Sequence, residues 1–193
     1  MKGQSRFVEY TLTVLFSILV LSSISALIYT LYRAVIEREV NAELTQVATQ
    51  VKDSLVKIYA VAKDSNLQPE NTTSVLVNEL DLNLPDSVAN LNYEVSLITA
   101  NPLYAYITNA SIDGQNISIS KGNPGAKVVA TTTQDPVVRV EFDLPNFDIT
   151  IQGKTRNGLN DVLKYYRYNQ NSTIYDTVIL GQPDIIIRIV NIY

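Results

Sequence analysis

From Thr11 to Tyr32 the chain reads TLTVLFSILVLSSISALIYTLY, twenty-two residues without a charge, a Pro or a Gly. As a helix this run rises about 33 Å, against a bilayer hydrocarbon core of about 30 Å. Charges bracket it: Lys2, Arg6 and Glu9 before, then Arg33, Glu37, Arg38 and Glu39 after. A helix that is apolar on every side needs lipid or a bundle of equally apolar helices around it. The pattern predicts one membrane crossing at 11–32, preceded by a short basic leader and N-terminal segment at 1–10. The rest of the chain is then displayed on one side of the membrane. A cleaved secretory signal fits poorly: the apolar core is long, no small-x-small site comes after it, and Arg33 and Glu37 continue in an unbroken helical pattern.

Helical character does not stop at Tyr32. Val40, Leu44, Val47, Val51, Leu55, Ile58 and Ala62 recur every three or four residues, with charged and amide residues between them. That is one apolar stripe on a helix. Arg33–Glu37 and Asp53–Lys57 stand at i,i+4 spacing as opposite-charge pairs, each contributing a few tenths of a kcal/mol. No Gly or Pro interrupts Gln4 to Ala62. A single helix is predicted, with 33–62 as its amphipathic continuation and the stripe buried against the C-terminal domain.

The segment 63–193 is long enough for a domain with its own core. Its short runs are rich in Val, Ile, Thr, Tyr and Phe, and are separated by Gly, Pro, Asn and Asp. Strands are predicted at Tyr93–Thr99, Leu103–Thr108, Asn116–Ser120, Lys127–Thr133, Val137–Leu144, Phe147–Gln152, Thr173–Leu180 and Ile185–Ile192. Asp113-Gly114 marks a tight hairpin turn. Leu76–Leu84 and Asp161–Tyr168 fit a helix or a strand equally well. The segment Ile185–Tyr193, almost wholly apolar, reads as a central strand or an edge that pairs with another subunit. Strand spacings near ten residues favour an antiparallel, β-sandwich-like domain. The fold class expected is therefore α+β: a long transmembrane and amphipathic helix, then that domain.

Composition narrows the function. Nine Lys/Arg stand against fourteen Asp/Glu in 63–193, a net charge of −5, which argues against a nucleic-acid footprint. The chain has no His and no Cys. Without His it lacks the commonest general base and the commonest metal ligand, and without Cys no disulfide supports it. Carboxylate pairs such as Asp81–Asp86 and Glu141–Asp143 fit solvated turns and strand faces. No catalytic, cofactor or metal site is expected.

The N-terminus carries more. Met-Lys-Gly-Gln-Ser-Arg-Phe-Val-Glu-Tyr leads directly into the apolar helix. It resembles the precursors of archaeal type IV pilin-like proteins with class III signal peptides. The resemblance implies that a prepilin peptidase cuts between Gly3 and Gln4 and leaves the helix in the mature chain. It also implies a role for Glu9 in pairing with a neighbouring subunit's new amine during assembly. Glu9 would be the sixth mature residue, one later than is usual in that family. The likeness covers the first third of the chain by motif and the rest by architecture.

Lys and Arg are balanced across the span, and the α-amine tips the count towards an N-terminus inside. The resemblance implies the same topology, with the β domain outside.

Four Asn-x-Ser/Thr sequons, at Asn71, Asn109, Asn116 and Asn171, are candidate glycan acceptors. The sixteen Asn of this segment would supply roughly two by chance. Tyr165, Tyr166, Tyr168 and Tyr175 around Arg167 fit either a binding patch or Tyr packed within a β structure.

Two functions use these parts. One is a non-catalytic subunit of a cell-surface filament. It is held in the membrane as a precursor, trimmed by the peptidase, and assembled by the pilus machinery with copies of itself. The other is a permanently anchored surface protein, similar to archaellum stator-type proteins, whose outer domain contacts the cell envelope.

Overall fold

The computed structural model describes residues 2–99, 106–112, 115–121, 125–145, 147, 149–159 and 161–181. The chain forms two compact units, Met1–Glu39 and Val40–Tyr193. One helix, α1 (Lys2–Lys63), runs through both, as the unbroken sequence predicts. The boundary between units falls at Glu39, seven residues later than the end of the apolar run at Tyr32.

From Phe7 to Val35 the helix is exposed on every side. In the second unit its stripe is buried: Val40, Leu44, Val47, Val51, Leu55, Ile58 and Ala62 are all at 3% exposure or less. Each buried Val, Leu or Ile side chain contributes about 1.5–3 kcal/mol relative to an exposed one. The stripe therefore fixes the helix to the sheet far more strongly than its surface ion pairs can.

The sheet has seven strands in the order β1-β8-β9-β7-β2-β5-β6. They are β1 (Ser74–Asp81), β2 (Tyr93–Thr99), β5 (Ala126–Thr132), β6 (Arg139–Asp143), β7 (Thr150–Arg156), β8 (Val162–Gln170) and β9 (Thr173–Gly181). Two more, β3 (Tyr106–Ile112) and β4 (Gln115–Lys121), form a separate two-stranded ribbon. Its register brings Ile112 opposite Gln115; the turn expected at Asp113-Gly114 lies outside the described residues.

Alternation assigns the two sheet faces. Tyr93, Val95, Leu97, Val128, Ala130, Ile151, Leu163, Tyr165, Val178 and Leu180 are buried on the helix side. Tyr59 of the helix packs against Phe147 with its ring tilted by 49°, at 4.6 Å between centroids. Lys52 lies over the Phe142 ring at 5.7 Å. On the opposite face Tyr166, Tyr168 and Ile179 pack with Ile112 of the ribbon.

Several expectations shift. Leu76–Leu84 and Asp161–Tyr168, both ambiguous in sequence, pair with each other as strands β1 and β8. The sheet is mixed and not wholly antiparallel: β7 and β9 run parallel. The hairpin β8–β9 docks through β9, so β9 takes the place beside β7 that a simple meander would give to β8. The strand predicted at Phe147–Gln152 runs instead from Thr150 to Arg156, through Gly153. The strand predicted at Leu103–Thr108 extends to Ile112. Ile185–Ile192 lies outside the described residues.

Candidate assembly surface and modification sites

Among the described residues, the apolar run of α1 is an exposed apolar surface. Along α1, Leu12, Phe16, Leu19, Leu27 and Leu31 are each at least 60% exposed. One described helix is long and apolar enough to cross a membrane, and none of its apolar window is buried within the chain. Most of its hydroxyls are satisfied locally. Thr11 donates to the Phe7 carbonyl, Thr13 to Glu9, Ser17 to Thr13 and Ser23 to Leu19, all at 2.8–2.9 Å. Back-bonding of this kind removes the cost of carrying Ser and Thr into an apolar medium. Gly3 and Gln4 lie within the helical backbone near its start, and Glu9 is exposed among Phe7, Val8 and Tyr10.

The four sequons divide into two pairs. Asn109 and Asn116 stand on the ribbon, opposite Ser118 and Ser111 in register. Asn71 and Asn171 are exposed and adjacent, because the Asn71 Oδ1 accepts the Asn171 backbone N–H at 2.8 Å. Asn171 and Ser172 form the two-residue β8–β9 turn, both with positive φ (50° and 63°). Asn tolerates that conformation well, so Asn171 has a structural reason to be present apart from any glycan.

The tyrosines on β8 serve packing. Tyr165, Tyr166 and Tyr168 are buried, and Tyr175 is half-buried beside them. Tyr93 is wholly buried, and its hydroxyl donates to the Pro85 carbonyl. Burial, with Asp161 and Asp86 nearby, pushes its pKa up to about 12. Burial, then the adjacent Asp176, raises Tyr165 as well.

Arg167 was not singled out by its sequence context except as a neighbour of tyrosines, yet it ties the end of α1 to the sheet. Its guanidinium donates to the carbonyls of Ala62, Ser65 and Leu67 and to Asp176. The bond to Asp176 favours the charged form and raises the Arg167 pKa further. The only available signal was Asp176 at the facing register position, and that register is not legible before the hairpin is known.

Several carboxylates have charge partners or backbone donors. Glu141 is held below the usual carboxylate range by Arg139 and then Lys127. Lys127, beside Asp143 and Glu141, is raised. Glu94 pairs with Arg156 at 2.5 Å. Asp161 accepts the Leu84 N–H at 2.6 Å. Among the described residues no group of three carboxylates gathers in a way that could hold a metal ion. A groove open to solvent runs between α1 and β1, lined by Gln46, Gln50, Asp53, Lys57 and Asp81.

Comparison with protein-family models, with curated proteins and with solved structures finds no match to this chain.

Proposed function

We propose that this protein is a structural subunit of an archaeal type IV pilus-like surface filament, assembled through Thr11–Tyr32. One observation carries the proposal: an apolar helix exposed on every side, in a chain whose other large apolar stripe is already buried on its own sheet. The second stripe needs no partner, and the first cannot be left in water. Exposing some twenty apolar side chains would cost tens of kcal/mol at about 25 cal/mol per Å². Before assembly the bilayer covers the run, with the N-terminus inside and the β domain outside. After assembly neighbouring copies of the same helix replace the lipid. The domain then forms a sandwich-like coat, with the helix and the ribbon β3–β4 layered on the two sheet faces.

In this account the prepilin peptidase cuts between Gly3 and Gln4, and the pilus machinery extracts the trimmed subunit. Glu9 meets the new amine of a neighbour. Asn71, Asn109, Asn116 and Asn171 are the candidate glycan acceptors of the coat. The protein is not an enzyme and takes no cofactor.

The test joins an intact-mass measurement of the native protein to a Glu9→Ala variant. The expected mature chain begins at Gln4, and the variant is inserted and trimmed but absent from surface filaments. An intact Met1, or a variant that assembles normally, contradicts the assigned roles. A permanent anchor of stator type, the second use of the same parts, predicts a chain that never leaves the membrane.

A further inference from the structure

The β8–β9 hairpin and the turn that leads into β1 meet at the end of the second unit where α1 finishes. Arg167 ties this end to the helix through the carbonyls of Ala62, Ser65 and Leu67. Nearby, the Thr73 N–H donates to the Glu70 carbonyl at 3.1 Å and closes a turn over Glu70–Thr73. The turn is braced on the hairpin. The Thr72 N–H donates to the Asn169 carbonyl at 2.7 Å, and the Asn169 N–H to the Thr73 carbonyl at 3.1 Å. The Asn169 Nδ2 donates to the Pro69 carbonyl at 3.0 Å.

Turn chemistry does not account for the residues found here. Thr72, third in the turn, has φ +63°. Gly or Asn takes such a position at little cost, whereas a β-branched residue is strained there. The Asn stands one place earlier, at 71, where turns with positive φ at the third residue favour Pro. An order of Asn and Thr suited to the turn would be the reverse. The order present, Asn71-Thr72-Thr73, is a sequon.

The Asn71 amide is divided between two uses. Its Oδ1 accepts the Asn171 N–H at 2.8 Å. Its Nδ2 has no partner among the described residues, and the residue is exposed. An Asp would accept the same bond, so the fold uses the oxygen and leaves the nitrogen over. N-glycosylation takes place on that nitrogen and leaves the amide oxygen an acceptor. A sugar on Asn71 therefore costs no native hydrogen bond. Asn171 differs. The two-residue β8–β9 turn accounts for it, with φ +50°, and its N–H is what holds the Asn71 oxygen. That bond sets the two sequons side by side, so a sugar on one takes up the space of a sugar on the other.

We propose that Asn71 is the glycan acceptor of this pair and that Asn171 is its unmodified support. In the transfer, Nδ2 attacks the anomeric carbon of a sugar carried on a polyisoprenoid lipid phosphate. A C–N bond forms, the C–O bond to the phosphate breaks, the nitrogen gives up one proton and the lipid phosphate leaves. The proposal rests on the reading that puts the β domain outside the membrane, and its test separates the two. The native chain is extracted from its own cells and digested, and its peptides are sequenced by electron-transfer fragmentation, which leaves a sugar on its residue. The expected result is sugar mass on Asn71 in most copies and an unmodified Asn171. Asn71→Asp and Thr73→Val, made in the same cells, lose the sugar at 71. Asn71→Asp keeps its circular dichroism, because its carboxylate still accepts the Asn171 N–H. A bare Asn71, a sugar on Asn171, or a sugar kept at 71 in Thr73→Val overturns the proposal. An unfolded Asn71→Asp makes the nitrogen structural and overturns it too. A membrane-impermeant amine reagent, added to intact cells, reads the topology independently. Labelled domain lysines with a bare Asn71 overturn the acceptor and leave the topology standing. Unlabelled domain lysines overturn both.

Discussion

Gly153 cannot be replaced without moving backbone. It lies in β7 with φ +106°, and a Cβ there would clash with the carbonyl oxygen of Leu180. The backbone conformation alone penalises an L side chain by about 1–3 kcal/mol, and the clash adds to it. Gly153→Ala should therefore lower the denaturant midpoint of the detergent-solubilised chain sharply, or prevent folding; an unchanged midpoint would contradict the parallel β7–β9 pairing. Arg167→Ala should cost about 1.5–3 kcal/mol, because carbonyls at the end of α1 lose their donor and Asp176 loses its counter-charge. Arg167→Lys should recover only part of this, since one ammonium cannot replace the guanidinium fork. Equal stability of the lysine variant and the unmodified chain would show that charge, not the fork, matters. Tyr93 and Tyr165 set the alkaline limit. Their folded pKa values are raised, Tyr93 to about 12, so the neutral phenols are favoured in the fold. Their contribution is complete below the ordinary tyrosine pKa of about 10 and is lost as pH rises through the folded values. Tyrosinate absorbance should show Tyr93 and Tyr165 titrating late, together with the loss of secondary structure.

At the scale of elements, the second half of α1 is the keystone of the second unit. Leu55→Ala removes a side chain at 1% exposure from the middle of the stripe and should cost about 2–5 kcal/mol. Val56→Ala, one residue away at 41% exposure, should cost far less; comparable losses by chemical unfolding would mean the stripe is not the packed face. The helix was legible because its two signals, an all-apolar run and a three-four stripe, are long and uninterrupted by Gly or Pro. β2 was legible to the residue, because its β-branched and aromatic content is flanked by clear breakers. β1 and β8 were not, because mixed runs such as LVNELDLNL and DVLKYYRY satisfy a helical and an alternating pattern equally, and only their pairing decides. Gly153 misled for a different reason. A glycine in sequence reads as a break, whereas here it lets two parallel strands approach. The β8–β9 turn at Asn171-Ser172 was hidden by the same ambiguity, since Asn reads as a sequon or as a turn residue with equal force.

For the whole molecule, sequence and structure speak to different questions. The division into an all-round apolar helix and a domain with its own core was legible from composition and period alone. The order of the sheet was not, because strand order depends on which hairpin docks where, and the insertion of β9 between β8 and β7 leaves no local trace. Of the sites, the positions Gly3, Gln4 and Glu9 rest on the N-terminal motif, and the clustering of Asn71 with Asn171 came only from the fold. The account's central claim is that the apolar helix is an assembly surface. A charge in its middle, as in Leu21→Lys, should cost about 2.5–3.5 kcal/mol on insertion, and would be buried without a partner in a helix bundle, whereas Leu21→Ile should be tolerated. The most direct measurement is to shear native cells, purify the released filaments, and identify their subunits by mass. The account predicts this chain among them, beginning at Gln4. Its complete retention in the membrane fraction, with no copy in any filament, would contradict the account and leave a permanently anchored surface protein in its place.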